Sequence, residues 1–151
     1  MKLAKGRIIV LEEGGRVDKK ITSIEIKNIS CGLCSADDIV TEVLKIFRAG
    51  EIKHLQYNGW SEKPVNQYFY KVNHNDIEAF FDLLTVKIKV QDWDNDYRVE
   101  VCDGWTWECR IRHSDKTIKK VVGTVEPPPR GRQLKKLIHN LTDYKVKPWI
   151  L

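Results

Sequence analysis

Between residues 105 and 112 apolar and polar side chains alternate without a slip: Trp105, Trp107, Cys109 and Ile111 against Thr106, Glu108, Arg110 and Arg112. A period of two puts the two sets on opposite faces of a strand, so this part of the chain demands a sheet with one buried face. Residues 97–101 alternate as well, with Tyr97, Val99 and Val101 as the apolar set. Asp103-Gly104 between them decides the register. A two-residue turn mixes the faces. A three-residue turn with Gly104 as a bulge pairs Val101 with Trp105 and Val99 with Trp107, and sets Arg98 opposite Glu108 and Asp96 opposite Arg110. The spacing therefore predicts the bulged hairpin. A turn at 113–116 leads into a further strand over 117–125, and Pro127, Pro128 and Pro129 end the sheet.

Upstream, residues 6–12 and 16–27 read as β-rich runs separated by Glu13-Gly14-Gly15. Ser35 followed by Asp37 and Asp38 resembles a helix cap, and Ile39, Val40, Val43, Leu44 and Phe47 fall at helical spacing before Gly50. A helix over 36–47 is expected. Strands are expected over 51–57 and 67–72, then a shorter helix capped within 73–75 and striped by Ile77, Phe80, Phe81 and Leu84. Residues 86–90 are β-like. A last helix over 132–141 carries Leu134, Leu137, Ile138 and Leu141, and the apolar tail 144–151 is expected to dock. The order is ββαββα, then three or four strands, then α. That is an α+β fold with mostly antiparallel sheet and three helices.

A chain of 151 residues buries roughly two-thirds of its unfolded surface as one domain, divisible at most into sub-units 1–90 and 91–151. The longest apolar runs fall far short of the roughly 20 residues that span a bilayer. No membrane partner is expected, and a cytoplasmic location is, with the four cysteines reduced.

Cys31-Gly32-Leu33-Cys34 and the pair Cys102 and Cys109 supply four thiols, the number a structural Zn2+ ion takes. One obstacle is geometric. If 105–111 is a strand, Cys109 lies roughly 15 Å or more from Cys102, so a four-cysteine site requires 103–108 to be a loop. Completion of the Cys31–Cys34 pair by Cys102 or Cys109 together with a histidine such as His54, His74 or His113 is the alternative. Cys109 also reads simply as a small buried hydrophobe. A redox role for Cys31 and Cys34 would draw on a following helix whose dipole lowers the thiol pKa.

Asp92, Asp94 and Asp96 occupy calcium-loop spacing, but Tyr97 stands where such a loop needs glycine and Asp103 where it needs glutamate. A solvated turn is the better reading. Phosphate-loop, nucleophile-elbow and H-E-x-x-H signatures are missing, and the four histidines are scattered. The chain is therefore expected not to be an enzyme.

The net charge of +5 is unevenly spread. From Glu108 onward eleven Lys/Arg face four acids. Arg110 and Arg112 share an outward strand face, Lys119 is expected to join them across the next hairpin, and Arg130, Arg132, Lys135 and Lys136 follow on the last helix. This basic surface is the candidate partner-binding site, and an acidic protein patch is favoured over nucleic acid. For direct nucleic-acid binding, Trp60 and Trp93 are candidate stacking residues.

The set Asp103-Gly104, Trp107, Ile111, Asp115, Gly123, Pro129, Leu134 and Leu137 resembles a module of small uncharacterised proteins of Gram-positive bacteria and their phages. It covers the last third of the chain, and its motifs are structural. Small phage proteins of similar size include inhibitors of host defence such as anti-CRISPR proteins, so the resemblance implies a binding role. The expected function is a non-enzymatic binding or inhibitor protein acting through its basic C-terminal surface. Direct nucleic-acid binding is the alternative, and C-x-x-C thiol redox chemistry is third.

Overall fold

The computed structural model describes residues 19–30, 38–59, 61–100, 104–143 and 145–146. The alternation that constrains the sequence most forms the strand it requires. Strand β6 (Trp105–His113) buries Trp107, Cys109 and Ile111 on one face and turns Arg110 and Arg112 to the other. Its neighbours are β1 (Ile21–Ser30), with Ile26 opposite Cys109, and β7 (Ile118–Thr124), with Val121 opposite Cys109. Strands β2 (Ile39–Phe47), β3 (Glu51–Asn58) and β4 (Asn66–Lys71) extend the sheet from β1. A short β5 (Asp96–Tyr97) closes the other edge, giving the order β4-β3-β2-β1-β6-β7-β5. Every pairing is antiparallel except β5 with β7.

Two α-helices lie among the described residues. Helix α1 (His74–Leu83) starts at Asn73, whose side chain accepts from the Asp76 backbone N–H at 2.9 Å. Helix α2 (Gly131–Leu141) follows the prolines. Ile77, Phe80, Phe81, Leu134 and Ile138 join one core with Ile24, Ile26, Leu44, Ile46, Ile52, Ile111 and Val121. All of these sheet residues share a face, so both helices cover the same side of the sheet. Arg48 ties sheet to helix: its Nε–H donates to Ile21 O at 2.6 Å, and its guanidinium pairs with Glu78 at 2.9 Å and lies over the Phe81 ring.

Three expectations are corrected. Residues 39–47 form a central strand rather than part of a helix, leaving two helices, not three, among the described residues. Five of its nine residues are β-branched, which favours a pleated surface. Leu44 and Ile46 face the helices while Val43, also buried, faces the other way. Apolar residues on both faces mimic a helical stripe. Gly50 serves the β2–β3 turn instead: it holds φ +109°, and an added Cβ would stand 2.7 Å from Val72 O.

Second, 97–100 does not hairpin with 105–111, and Val101, expected opposite Trp105, lies outside the described residues. That side of β6 is taken by β1, so Tyr97 runs parallel to β7 opposite Gly123, and Val99 exchanges bonds with the Thr124 hydroxyl at 2.8 and 3.0 Å. Asp96 and Arg98 pair with each other at 2.7 Å, as do Glu108 and Arg110. Third, 84–88 forms a π-helical turn, because Leu84 and Ile88 are buried four residues apart while Val86 is exposed. The expected run 6–12 lies outside the described residues, as does most of the tail, of which Val146 is buried.

Candidate functional site

Because both helices pack on one face, the other is covered by no helix among the described residues. Down β1 it carries Glu25, Lys27 and Ile29, and down β2 Thr41, Val43, Lys45 and Phe47. Strand β3 adds Lys53, Leu55 and Tyr57, and β4 adds Phe69 and Lys71. On the far side stand Glu108, Arg110 and Arg112 of β6 and Ile118 and Lys120 of β7. Seven cations thus face the three carboxylates Glu25, Glu51 and Glu108 across one sheet surface.

Aromatic rings punctuate this basic field. Phe69 is 62% exposed, while Phe47 and Tyr57 are half-buried. Lys53 Nζ lies 5.5 Å from the centroid of the Phe47 ring, a cation–π distance. Glu108 takes Arg110 at 2.7 Å and Lys120 at 3.5 Å. Burial pushes its carboxyl up, but the two cations hold it below the usual range. Among the described residues Lys27, Lys45, Lys53, Lys71 and Arg112 have no ion-pair partner.

A concavity of about 410 Å³ opens on this face, walled by Tyr57, Asn58, Gly59 and Ser61 and floored by Ile29, Thr41 and Val43. Lys27, Lys45 and Glu25 form its remaining rim.

The basic residues expected to act together do not form one surface. Arg110 and Arg112 share the open face as expected. Lys119 is opposite Ile111, on the helix side, and its Nζ donates to Gln91 O at 3.4 Å; Lys120 is the residue beside Arg110. Arg130, Arg132, Lys135 and Lys136 belong to α2 and its entry, with the thickness of the sheet between them and Arg110. Lys27, Lys45, Lys53 and Tyr57 were not singled out by sequence. Their shared face follows from strand pairing alone.

Trp93 is no stacking residue: it is 3% exposed and its indole N–H donates to Pro129 O at 3.0 Å. Trp60 lies outside the described residues.

For the cysteines, Cys31, Cys34 and Cys102 lie outside the described residues. Cys109 is buried in mid-strand, where desolvation, with Glu25 and Glu108 in support, pushes its thiol well above the ordinary range. It stands four residues along β6 from Trp105, the partner of Ser30 at the end of β1, or about 13 Å of strand. The residues that a four-cysteine site needed as a loop are strand from Trp105 onward. His54, His74 and His113 sit on β3, at the start of α1 and at the end of β6, and His54 faces Glu42 at 2.9 Å. Among the described residues no group of three or more His, Cys, Asp or Glu is placed to hold a metal ion. The helix whose dipole was to activate Cys31 and Cys34 is replaced by β2 from Ile39 onward. Asp96, of the acidic run, is engaged by Arg98.

No protein family and no curated protein matches the chain. Among the described residues no helix is long and apolar enough to cross a membrane.

Proposed function

We propose that the protein binds single-stranded nucleic acid across the open face of its sheet. The observation that carries this reading is the interleaving of Phe47, Tyr57 and Phe69 with cations that lack ion-pair partners among the described residues, on a face covered by neither helix. Cations track phosphates, and rings offer stacking surfaces to bases that are free of a duplex. Width argues against a duplex groove. Six strands from β4 to β7 span about 24 Å, twice the roughly 12 Å major groove that admits one helix or a two-stranded ribbon.

Fluorescence anisotropy with a labelled single-stranded oligonucleotide tests the reading. Binding that weakens steeply with salt is expected, with duplex of the same sequence bound more weakly. No binding at about 50 mM salt, where electrostatic association is strong, would refute it.

A second reading keeps the basic C-terminal surface as an inhibitor-type contact for an acidic protein. Arg130, Arg132, Lys135 and Lys136 favour it, since α2 contains no acid and none of the four has an ion-pair partner among the described residues. Capture of one stoichiometric protein by the wild type, lost in R132E/K136E and kept in K53E/R112E, would favour this reading over the first.

A further inference from the structure

The concavity on the open face has a chemistry narrower than the face around it. We infer that it is a subsite for one nucleotide unit of the bound strand, its base against the Tyr57 ring and its phosphate on Lys27 and Lys45. This rests on the reading of the face as a single-strand platform and assigns one place on it.

Size comes first. About 410 Å³ lies at the small end of the roughly 300–1,000 Å³ common to ligand pockets, enough for one nucleotide and not for several. The floor of Ile29 and Val43 is apolar, and Val43 is 6% exposed although it stands on the helix-free side. A flat ring lying there is desolvated on one side and can stack on Tyr57, the one aromatic side chain in the lining among the described residues.

The rim supplies the polar half. Lys27 and Lys45 stand diagonally across the β1–β2 pair, where Lys27 is opposite Val43 and Glu25 opposite Lys45. Neither ammonium has a partner among the described residues, so both are available to one phosphate. Glu25 is likewise uncommitted, and as an acceptor it suits an exocyclic amine or a sugar hydroxyl. Two cations, one carboxylate, an apolar floor and one ring match a nucleotide better than a plain anion, which would use neither floor nor ring.

The test uses the intact protein and amide NMR. Titration with adenosine 5′-monophosphate is expected to move the Ile29, Thr41, Val43 and Tyr57 signals together. Inorganic phosphate at the same concentration should not. In parallel, Tyr57→Ala is expected to weaken the nucleotide about tenfold, within the range of base–aromatic stacking, while Tyr57→Phe restores it. Thr41→Trp, which fills the cavity with a side chain of a type enriched in strands, should abolish it.

If an oligonucleotide binds the face but the nucleotide leaves these four signals unmoved, the subsite is overturned and the platform stands. If the nucleotide moves them but no oligonucleotide binds, the subsite stands and the platform falls. Equal saturation by inorganic phosphate overturns the nucleotide assignment.

Discussion

Replacing Lys53 and Arg112 with glutamine removes one charge from each side of the open face. Neither side chain belongs to the cavity, and neither has an ion-pair partner among the described residues, so the change leaves no carboxylate stranded. Seven cations and three carboxylates give the face a net of four positive charges to act on phosphates. Four phosphate contacts with a single strand give a slope of log affinity on log salt of about −2.8, or a fall of about fiftyfold between 50 and 200 mM. Removing two contacts should halve the slope to about −1.4 and reduce the fall to about sevenfold. Anisotropy titrations at four salt concentrations measure the slope directly. Arg132→Gln with Lys136→Gln is the matched control, because those charges lie on α2, across the sheet. An unchanged slope in the open-face variant, or a halved slope in the helix variant, would refute the assignment of the binding face.

Three further outcomes follow from the fold. The Trp107 indole lies against Gly123, where an added Cβ would meet its Cζ2 at 2.3 Å, so Gly123→Ala should cost about 1–3 kcal/mol in chemical denaturation as an overpacked core does. Trimming the ring with Trp107→Leu should make the pair strongly non-additive, and simple additivity would show that the ring can step aside. Asn28 is 4% exposed with neither side-chain amide atom hydrogen-bonded among the described residues, between Glu42 on β2 and Trp107 on β6. Asn28→Leu should therefore raise stability by about 1 kcal/mol or more, and a lower Tm would show that a bound water satisfies the amide. The Asp96 carboxyl is held down to about 2, first by the Arg98 side chain and then by the Arg98 backbone N–H. A depressed folded value means that its contribution is present above the ordinary carboxylate pKa and is lost as pH falls through about 2. Carboxyl NMR should show that midpoint returning toward the ordinary range in Arg98→Ala.

What sequence could reach divides along a physical line. β6, β7, α1 and α2 were legible because each buries one face, and one-sided burial prints a clean period of two or near four on the sequence. β2 lies in the middle of the sheet and carries apolar residues on both faces, so its period is erased. Ile39, Val40, Val43, Leu44 and Phe47 then satisfy a helical template by accident, with Gly50 completing the illusion from its place in a strand turn. The register of 96–100 failed for another reason. Charge matching across a hairpin is local, whereas β1 competes for the same edge of β6 from about eighty residues away, and its nine paired positions outweigh a five-residue hairpin.

The misplaced strand also hid the site. With 36–47 as a helix, Lys45 and Val43 leave the sheet, β1 loses its neighbour, and the chain's basic residues group by sequence into the C-terminal third. With β2 in place, Lys45 stands beside Glu25, Val43 beside Lys27 and Tyr57 beside Thr41. The cations of the first half then meet those of β6 on one surface. The first 107 residues carry seventeen acids against fifteen bases, yet they contribute four of the seven cations on the open face. Charge counted along the chain pointed to the C-terminal third, α2 included. Strand pairing instead gathers charge onto the opposite side of the sheet, because a strand sends alternate residues to one face whatever the net charge of the segment they come from.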